Sequence, residues 1–274
     1  MRYTKNMYFV YHQGQYVNLD AQHLNILDSG LIRGYGAFEF TRTYKKQPFQ
    51  LEAHVDRLFQ SCEMLDLKIQ ETKKEILDIC ENVLKQTLVD ESKLGLIVTG
   101  NVLGKEAHLF VFSSPLELIS KEWVEEGIKT QTVLYERFLP KCKSFQYLPQ
   151  MATLKKNPSI QEVLYLNNNQ EITEGGTSNF FGFEKDCLIT ANQNILLGIT
   201  RQCVLELAKS EFAIDFRALP LEEASHLDEA FMTSSTREII PIKQIDHIQI
   251  GDGKVGSHTK RLQQLFYQLT MQVK

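Results

Sequence analysis

Over residues 38–44 the chain alternates with a period of two. Phe38, Phe40, Arg42 and Tyr44 therefore share one face of a strand, and Glu39, Thr41 and Thr43 share the other. Upstream, residues 7–18 alternate around His12-Gln13-Gly14-Gln15 and predict a β-hairpin, while residues 31–36 form a glycine-punctuated approach to the strand. Downstream, Lys45-Lys46-Gln47 is a polar turn, and residues 48–51 a short return strand. The period then changes to that of a helix. From about Glu52, Val55, Leu58, Phe59, Cys62 and Leu65 form one stripe with Arg57 beside it. A second helix is expected over 72–88, with Ile76, Ile79, Cys80 and Val83 inward and Thr72 as its N-cap. Strands at 94–99 and 108–113, joined by a loop at 100–105, complete a small α+β domain over residues 1–116.

Ser114-Pro115 opens a less regular stretch, and residues 117–127 are expected to be a linker. From residue 128 to 274 the pattern is strand-rich, with strands at 128–135, 162–166, 180–184, 187–190, 214–218, 230–233 and 240–245. A turn is expected at Asn167-Asn168-Asn169-Gln170. Helices are expected from Thr200, over 221–226, and from Ser257, the last burying Leu262, Leu265, Phe266 and Leu269.

Composition narrows the class. At 274 residues, with 43% hydrophobic and 23% charged content, the chain has length and apolar mass for a buried core. Thirty basic against 34 acidic residues leave a net charge of −4, so no strong field favours nucleic acid or an anionic membrane. The five cysteines (62, 80, 142, 187 and 203) are odd in number and form no Cys-x-x-Cys pair. They suggest free thiols in a reducing cytoplasm. No apolar run approaches the ~20 residues of a spanning helix, and the N-terminus has no leader-like pattern. The histidines show no metal-ligand spacing, so no metal is expected.

Candidate chemistry is concentrated between residues 143 and 201. Lys143-Ser144-Phe145-Gln146-Tyr147-Leu148, Thr173-Glu174-Gly175-Gly176-Thr177-Ser178-Asn179 and Gly198-Ile199-Thr200-Arg201 follow in order. Each alone has an ordinary reading: a solvated lysine, a turn glutamate, a capped helix start. Together they offer an amine nucleophile, a carboxylate beside two glycines, and a helix N-terminus with free amides for phosphate. Lys141 competes with Lys143, because residues two apart on an extended segment share a face.

These blocks resemble the class IV (fold type IV) pyridoxal-phosphate enzymes: branched-chain aminotransferases, D-amino acid aminotransferases and 4-amino-4-deoxychorismate lyases. Lys143-Ser144-Phe145-Gln146 resembles the segment around their Schiff-base lysine, Glu174-Gly175-Gly176-Thr177-Ser178-Asn179-Phe180 their Glu-Gly-x-x-x-Asn-Phe, and Gly198-Ile199-Thr200-Arg201 their Gly-Ile-Thr-Arg. Residues 34–58 resemble their Gly-x-x-Phe-Glu-x-x-Arg followed by His-x-x-Arg-Leu. The resemblance implies an α+β two-domain fold, a small α/β sandwich beside a larger pseudo-barrel, with pyridoxal 5′-phosphate in the cleft between them and a homodimer. It implies that Lys143 is the catalytic lysine, that Glu174 faces the pyridine nitrogen and that Tyr147 faces the 3-oxygen. Phosphate contacts then fall to Arg57, Ile199, Thr200, Ser235 and, second to it, Thr236. Phe38, Arg33 and Arg42 fall to the substrate. The family's strand arginine for a D-amino acid carboxylate is missing, since Val98-Thr99 is followed by Gly100. The implied activity is amino transfer between a small amino acid and a 2-oxo acid, with the pyruvate-releasing lyase as the alternative; Glu39 favours the former.

Overall fold

The computed structural model describes residues 8–21, 24–100, 107–117 and 119–272. These form two compact units. The first comprises residues up to Glu117 together with Cys142–Phe145 and Gln272; the second comprises 119–141 and 146–271.

In the first unit the elements are β1 (Phe9–His12), β2 (Gln15–Asn18), α1 (Ser29–Arg33), β3 (Gly36–Tyr44), β4 (Gln47–Pro48), α2 (Leu51–Met64), α3 (Lys73–Gln86), β5 (Ser92–Thr99) and β6 (His108–Pro115). The six strands form one sheet in the order β2-β1-β6-β5-β3-β4. Val55, Leu58 and Cys62 of α2 and Ile76, Ile79, Cys80 and Val83 of α3 bury against Leu94, Leu96, Val98, Leu109 and Val111 of the sheet. That is the stripe the helical spacing predicted. Thr72 caps α3 in a reciprocal box with Glu75. The segment before β3 differs from expectation. It contains α1, capped by the Asp28 side chain and closed by Gly34 at φ +65°. The loop expected at 100–105 lies, apart from Gly100, outside the described residues.

The second unit runs through α4 (Lys121–Glu126), β7 (Ile128–Leu134), α5 (Leu148–Lys156), β8 (Glu162–Leu166), β9 (Glu171–Gly175), β10 (Asn179–Glu184), β11 (Cys187–Ile189), α6 (Ile199–Ala208), β12 (Ala213–Asp215), β13 (Leu219–Pro220), β14 (Glu229–Ser234), β15 (Glu238–Ile245), β16 (Ile248–Gln249) and α7 (Ser257–Met271). Residues expected as linker include α4, whose Trp123 packs on this unit's core. The strand path is β12-β11-β10-β14-β15-β7-β8-β9-β13, with β16 on β15. Its first and last strands are joined by only residues 216–218. Eight interstrand steps laid flat would separate them by ~38 Å. Three connecting residues reach roughly 14 Å. The sheet must therefore curl until its edges approach, which is the pseudo-barrel. Ile128, Leu164, Ile172, Phe180, Met232, Ile240 and Ile245 help fill its core. Among the described residues no helix is long and apolar enough to cross a membrane.

Candidate active site

In the first unit, β3 exposes two chemistries through its alternation. Glu39 points to the helix side and is fully buried. It accepts hydrogen bonds from Arg57 Nε (2.7 Å) and Nη2 (2.8 Å), and its other neighbour is His54 Nδ1 at 2.7 Å. Burial pushes the carboxyl's pKa up, but the charge of Arg57 and the hydrogen bonds from Arg57 and His54 outweigh it and hold Glu39 down to about 2. Burial, assisted by the charges of Arg57 and Lys143, depresses His54 below the usual imidazole range. A neutral ring beside a carboxylate donates from Nδ1, leaving Nε2 as a buried atom without a partner. Arg57, expected at the phosphate, thus has one edge of its fork occupied by Glu39.

The opposite face of β3 carries Phe38. Lys143 Nζ lies 4.7 Å from its ring centroid. The lysine segment is fixed by its backbone: Phe38 N donates to Lys143 O (3.0 Å), and Lys143 N donates to Ser61 Oγ (3.0 Å). Ser144 bridges Ala37. Phe145 passes so close to β3 that a Cβ on Gly36 would sit 2.5 Å from its ring. Lys143 is half-buried and Lys141 exposed, a distinction spacing could not draw. Of the expected substrate residues, Phe38 lies beneath Lys143. Arg33 is exposed at the end of α1, and Arg42 pairs with Glu91 at 2.8 Å while covering Tyr44.

The second unit gathers the other motifs. Glu174 sits at the end of β9 rather than on the turn and is 3% exposed. Oε1 accepts from Arg137 Nε (3.0 Å) and Oε2 from Leu196 N (3.1 Å). Arg137 also donates to Gln146 O (3.0 Å) and to Gly176 O, with its guanidinium 5.1 Å from the rings of Tyr147 and Tyr165. Burial opposes the charge on Arg137, but Glu174 and the two tyrosines prevail and raise its pKa. Gly176 packs so tightly that a Cβ would meet Gln150 Cγ at 2.7 Å. Asn179 then donates to Leu196 O (2.7 Å), tying the segment before α6 to the start of β10.

Gly198 is the N-cap of α6, with no side-chain cap bond, so among the described residues the first-turn amides at Ile199 and Thr200 have no capping side chain. β10 pairs with β14 in the register Asn179↔Thr233, which brings the 176–178 turn beside the β14–β15 hairpin tip. Ser235 and Thr236 lie in that tip, and Thr233 Oγ1 is buried nearby on β14 without a partner. Glu174, the start of α6 and the hydroxyl-rich tip therefore adjoin one another. An uncapped helix start, hydroxyls and a buried orphan oxygen form a donor set suited to phosphate.

Sequence reading missed Arg137, Glu162 and Arg237. Glu162 is fully buried and pairs with Arg237 at 2.5 Å. No local spacing announces either pair. Only the burial of Glu162 had a sequence trace, an acid opening the apolar run 163–166.

The family model for class IV amino-transferases matches residues 36–245. A putative branched-chain-amino-acid aminotransferase of Methanocaldococcus jannaschii is 31% identical over 94% of each chain. A D-alanine aminotransferase of Listeria monocytogenes is 31% identical over 89% of each. Among solved structures, the branched-chain aminotransferase of Escherichia coli superposes with a TM-score of 0.88 at 24% identity, over 96% of this chain and 94% of that one. A second branched-chain amino acid aminotransferase, from T.th. and solved with pyridoxamine 5′-phosphate, gives 0.90 at 21%, over 97% and 95%. At those identities the structures speak for the fold, which is fold type IV. With the ordered motifs and the matching model over most of its length, the chain belongs to the class IV aminotransferases.

Proposed function

We propose that the chain uses pyridoxal 5′-phosphate, held at Lys143, to transfer an amino group between a small amino acid and a 2-oxo acid. The observation that carries this is the buried Glu174 carboxylate, braced by Arg137 and Leu196 beside an uncapped helix start. Such a carboxylate suits the ring nitrogen, and the α6 amides with Ser235 and Thr236 suit the phosphate. When bound, the cofactor supplies an electron sink for charge developing at the substrate α-carbon. Lys143 Nζ would then be the group that takes the proton from that carbon, and Tyr147 would be a donor for the cofactor's 3-oxygen.

Homodimerisation is part of the reading. Leu24, Ile26, Leu27, Leu31 and Ile32 are each more than half exposed on one short stretch, an apolar surface suited to a second copy. The free cysteines support a reducing, cytoplasmic setting. The test is a panel of L- and D-amino acids with 2-oxo acid acceptors, run beside an aminodeoxychorismate elimination assay. Amino transfer with at least one donor is expected. Pyruvate from aminodeoxychorismate without any amino transfer would overturn the proposal in favour of the lyase.

A further inference from the structure

The hairpin tip that carries Ser235 and Thr236 ends in an arginine, Arg237; of the unit's other arginines, Arg261 on α7 directs Nε and Nη2 to Glu211. Arg137 is enclosed by Glu174, Gln146 O and Gly176 O. Arg201 is 2% exposed and donates to Ala191 O, and Arg217 bridges Asp215 and Glu223. Arg237 is held along one edge only. Its Nε donates to Ser234 Oγ (3.3 Å), and its Nη2 donates to Glu162 Oε2 (2.5 Å) and to Thr177 Oγ1. Nη1 has no partner among the described residues, and the side chain retains 19% exposure.

Glu162 is more than a counter-ion. Its carboxylate also accepts from Gln150 Nε2 (3.0 Å), Val163 N (3.0 Å), Thr177 Oγ1 (2.8 Å) and Ser178 Oγ (3.4 Å). Four donors besides arginine anchor this buried acid, so it is a fixed post against which the planar guanidinium is oriented. The post stands between two parts of the site. Thr177 lies three residues beyond Glu174, and Arg237 directly follows Ser235 and Thr236. An amino acid reacting at a cofactor held by those segments would need a cationic partner for its α-carboxylate beside them. A rigid, pre-aligned guanidinium is the donor that best matches a carboxylate there. Arg42, by contrast, is committed to Glu91, and Arg33 is exposed on a helix end.

We propose that Arg237, oriented by Glu162 and Thr177, binds the α-carboxylate of the amino-acid substrate. The inference rests on the aminotransferase reading. Its test compares the best amino-acid donor of the panel with an amine of matching side chain that lacks the carboxylate. Arg237→Met is expected to raise the KM for the amino acid roughly ten- to hundredfold, the loss of a charge-assisted contact, and to move that for the amine far less. Arg237→Lys should fall between, since it keeps charge without the fork.

Because Arg237→Met strands a buried carboxylate, the double variant Glu162→Gln/Arg237→Met is measured too. It removes both ends of the pair and should show the same amino-acid penalty, with the cofactor's visible absorbance retained. Equal KM values for wild type and both variants would overturn the proposal. So would a parallel rise for amino acid and amine, which would make Arg237 a structural strut. If wild type converts no donor at all, the aminotransferase reading fails first, and the two failures are told apart.

Discussion

Arg137→Met tests the ion pair that braces Glu174 in the second unit. The substitution keeps an unbranched apolar chain between Tyr147 and Tyr165 but removes the donors to Glu174 Oε1, Gln146 O and Gly176 O. Glu174 is then buried with Leu196 N as its remaining donor in that pair of contacts. Breaking a buried ion pair from one side costs ~3–5 kcal/mol, because the other charge stays behind. Two carbonyls losing their donor push toward the upper end. At ~2–4 °C per kcal/mol for a unit of this size, the melting temperature should fall by roughly 6–20 °C. The assay is urea unfolding of cofactor-free protein followed by fluorescence. The single tryptophan, Trp123, packs on the second unit's core and reports its unfolding. A double-mutant cycle with Glu174→Gln should show a coupling of ~1–3 kcal/mol. A single variant within ~0.5 kcal/mol of wild type, or strict additivity in the cycle, would refute the pairing.

Three further outcomes are expected. Borohydride reduction of cofactor-loaded protein should place the adduct on Lys143, vanish in Lys143→Ala and persist in Lys141→Ala; a peptide map with the adduct elsewhere refutes the assignment. Glu39 is depressed in the folded state, so its contribution is present above the ordinary carboxylate range near ~4.3 and is lost as pH falls through about 2. The urea midpoint of wild type should therefore exceed that of Glu39→Gln by a margin that narrows between pH 5 and 2, and a margin independent of pH would contradict it. Replacing Ile32, 53% exposed, with Asp should shift sedimentation from dimer toward monomer at unchanged thermal stability of the monomer; a wild-type mass of one chain at every concentration would end the dimer proposal.

The legible parts of this fold were those where local period and burial coincide. α2 and α3 keep their stripes inward and Thr72 caps as its type suggests, whereas β3 is a strand, as its period predicts, with both faces largely buried. α5 escaped because its apolar Leu148 and Met151 are 79% and 62% exposed, so its period points away from any core. α1 escaped for a related reason: none of its five residues is buried. The site divides the same way. Lys143, Glu174 and Thr200 stand in contiguous blocks, and a block can be read. The Arg137–Glu174 and Glu162–Arg237 pairs span 37 and 75 positions and exist only once strands are in register. The sequence shows two glycines beside the carboxylate but not their reason, and Gly176 is required by the side chain of Gln150.

The strand order of the second unit also sets a timetable. β7 pairs in parallel with β15, Ile128 against Ile242, so one side of β7 lacks its partner until more than a hundred further residues exist. Its other neighbour, β8, arrives much sooner, after α5. During synthesis this unit therefore holds an open, aggregation-exposed strand edge through most of its length, and closes late. The first unit has its antiparallel β5–β6 pairing and the helices α2 and α3 long before that. Its longest-range strand pairing, β1 with β6 (Val10↔Phe112), is also available once residue 115 has been made, so folding should proceed from the N-terminal sheet to a slow final closure. β15, which closes the sheet, follows directly on the tip that carries Ser235, Thr236 and Arg237. Those residues come into register only in the step that completes the barrel.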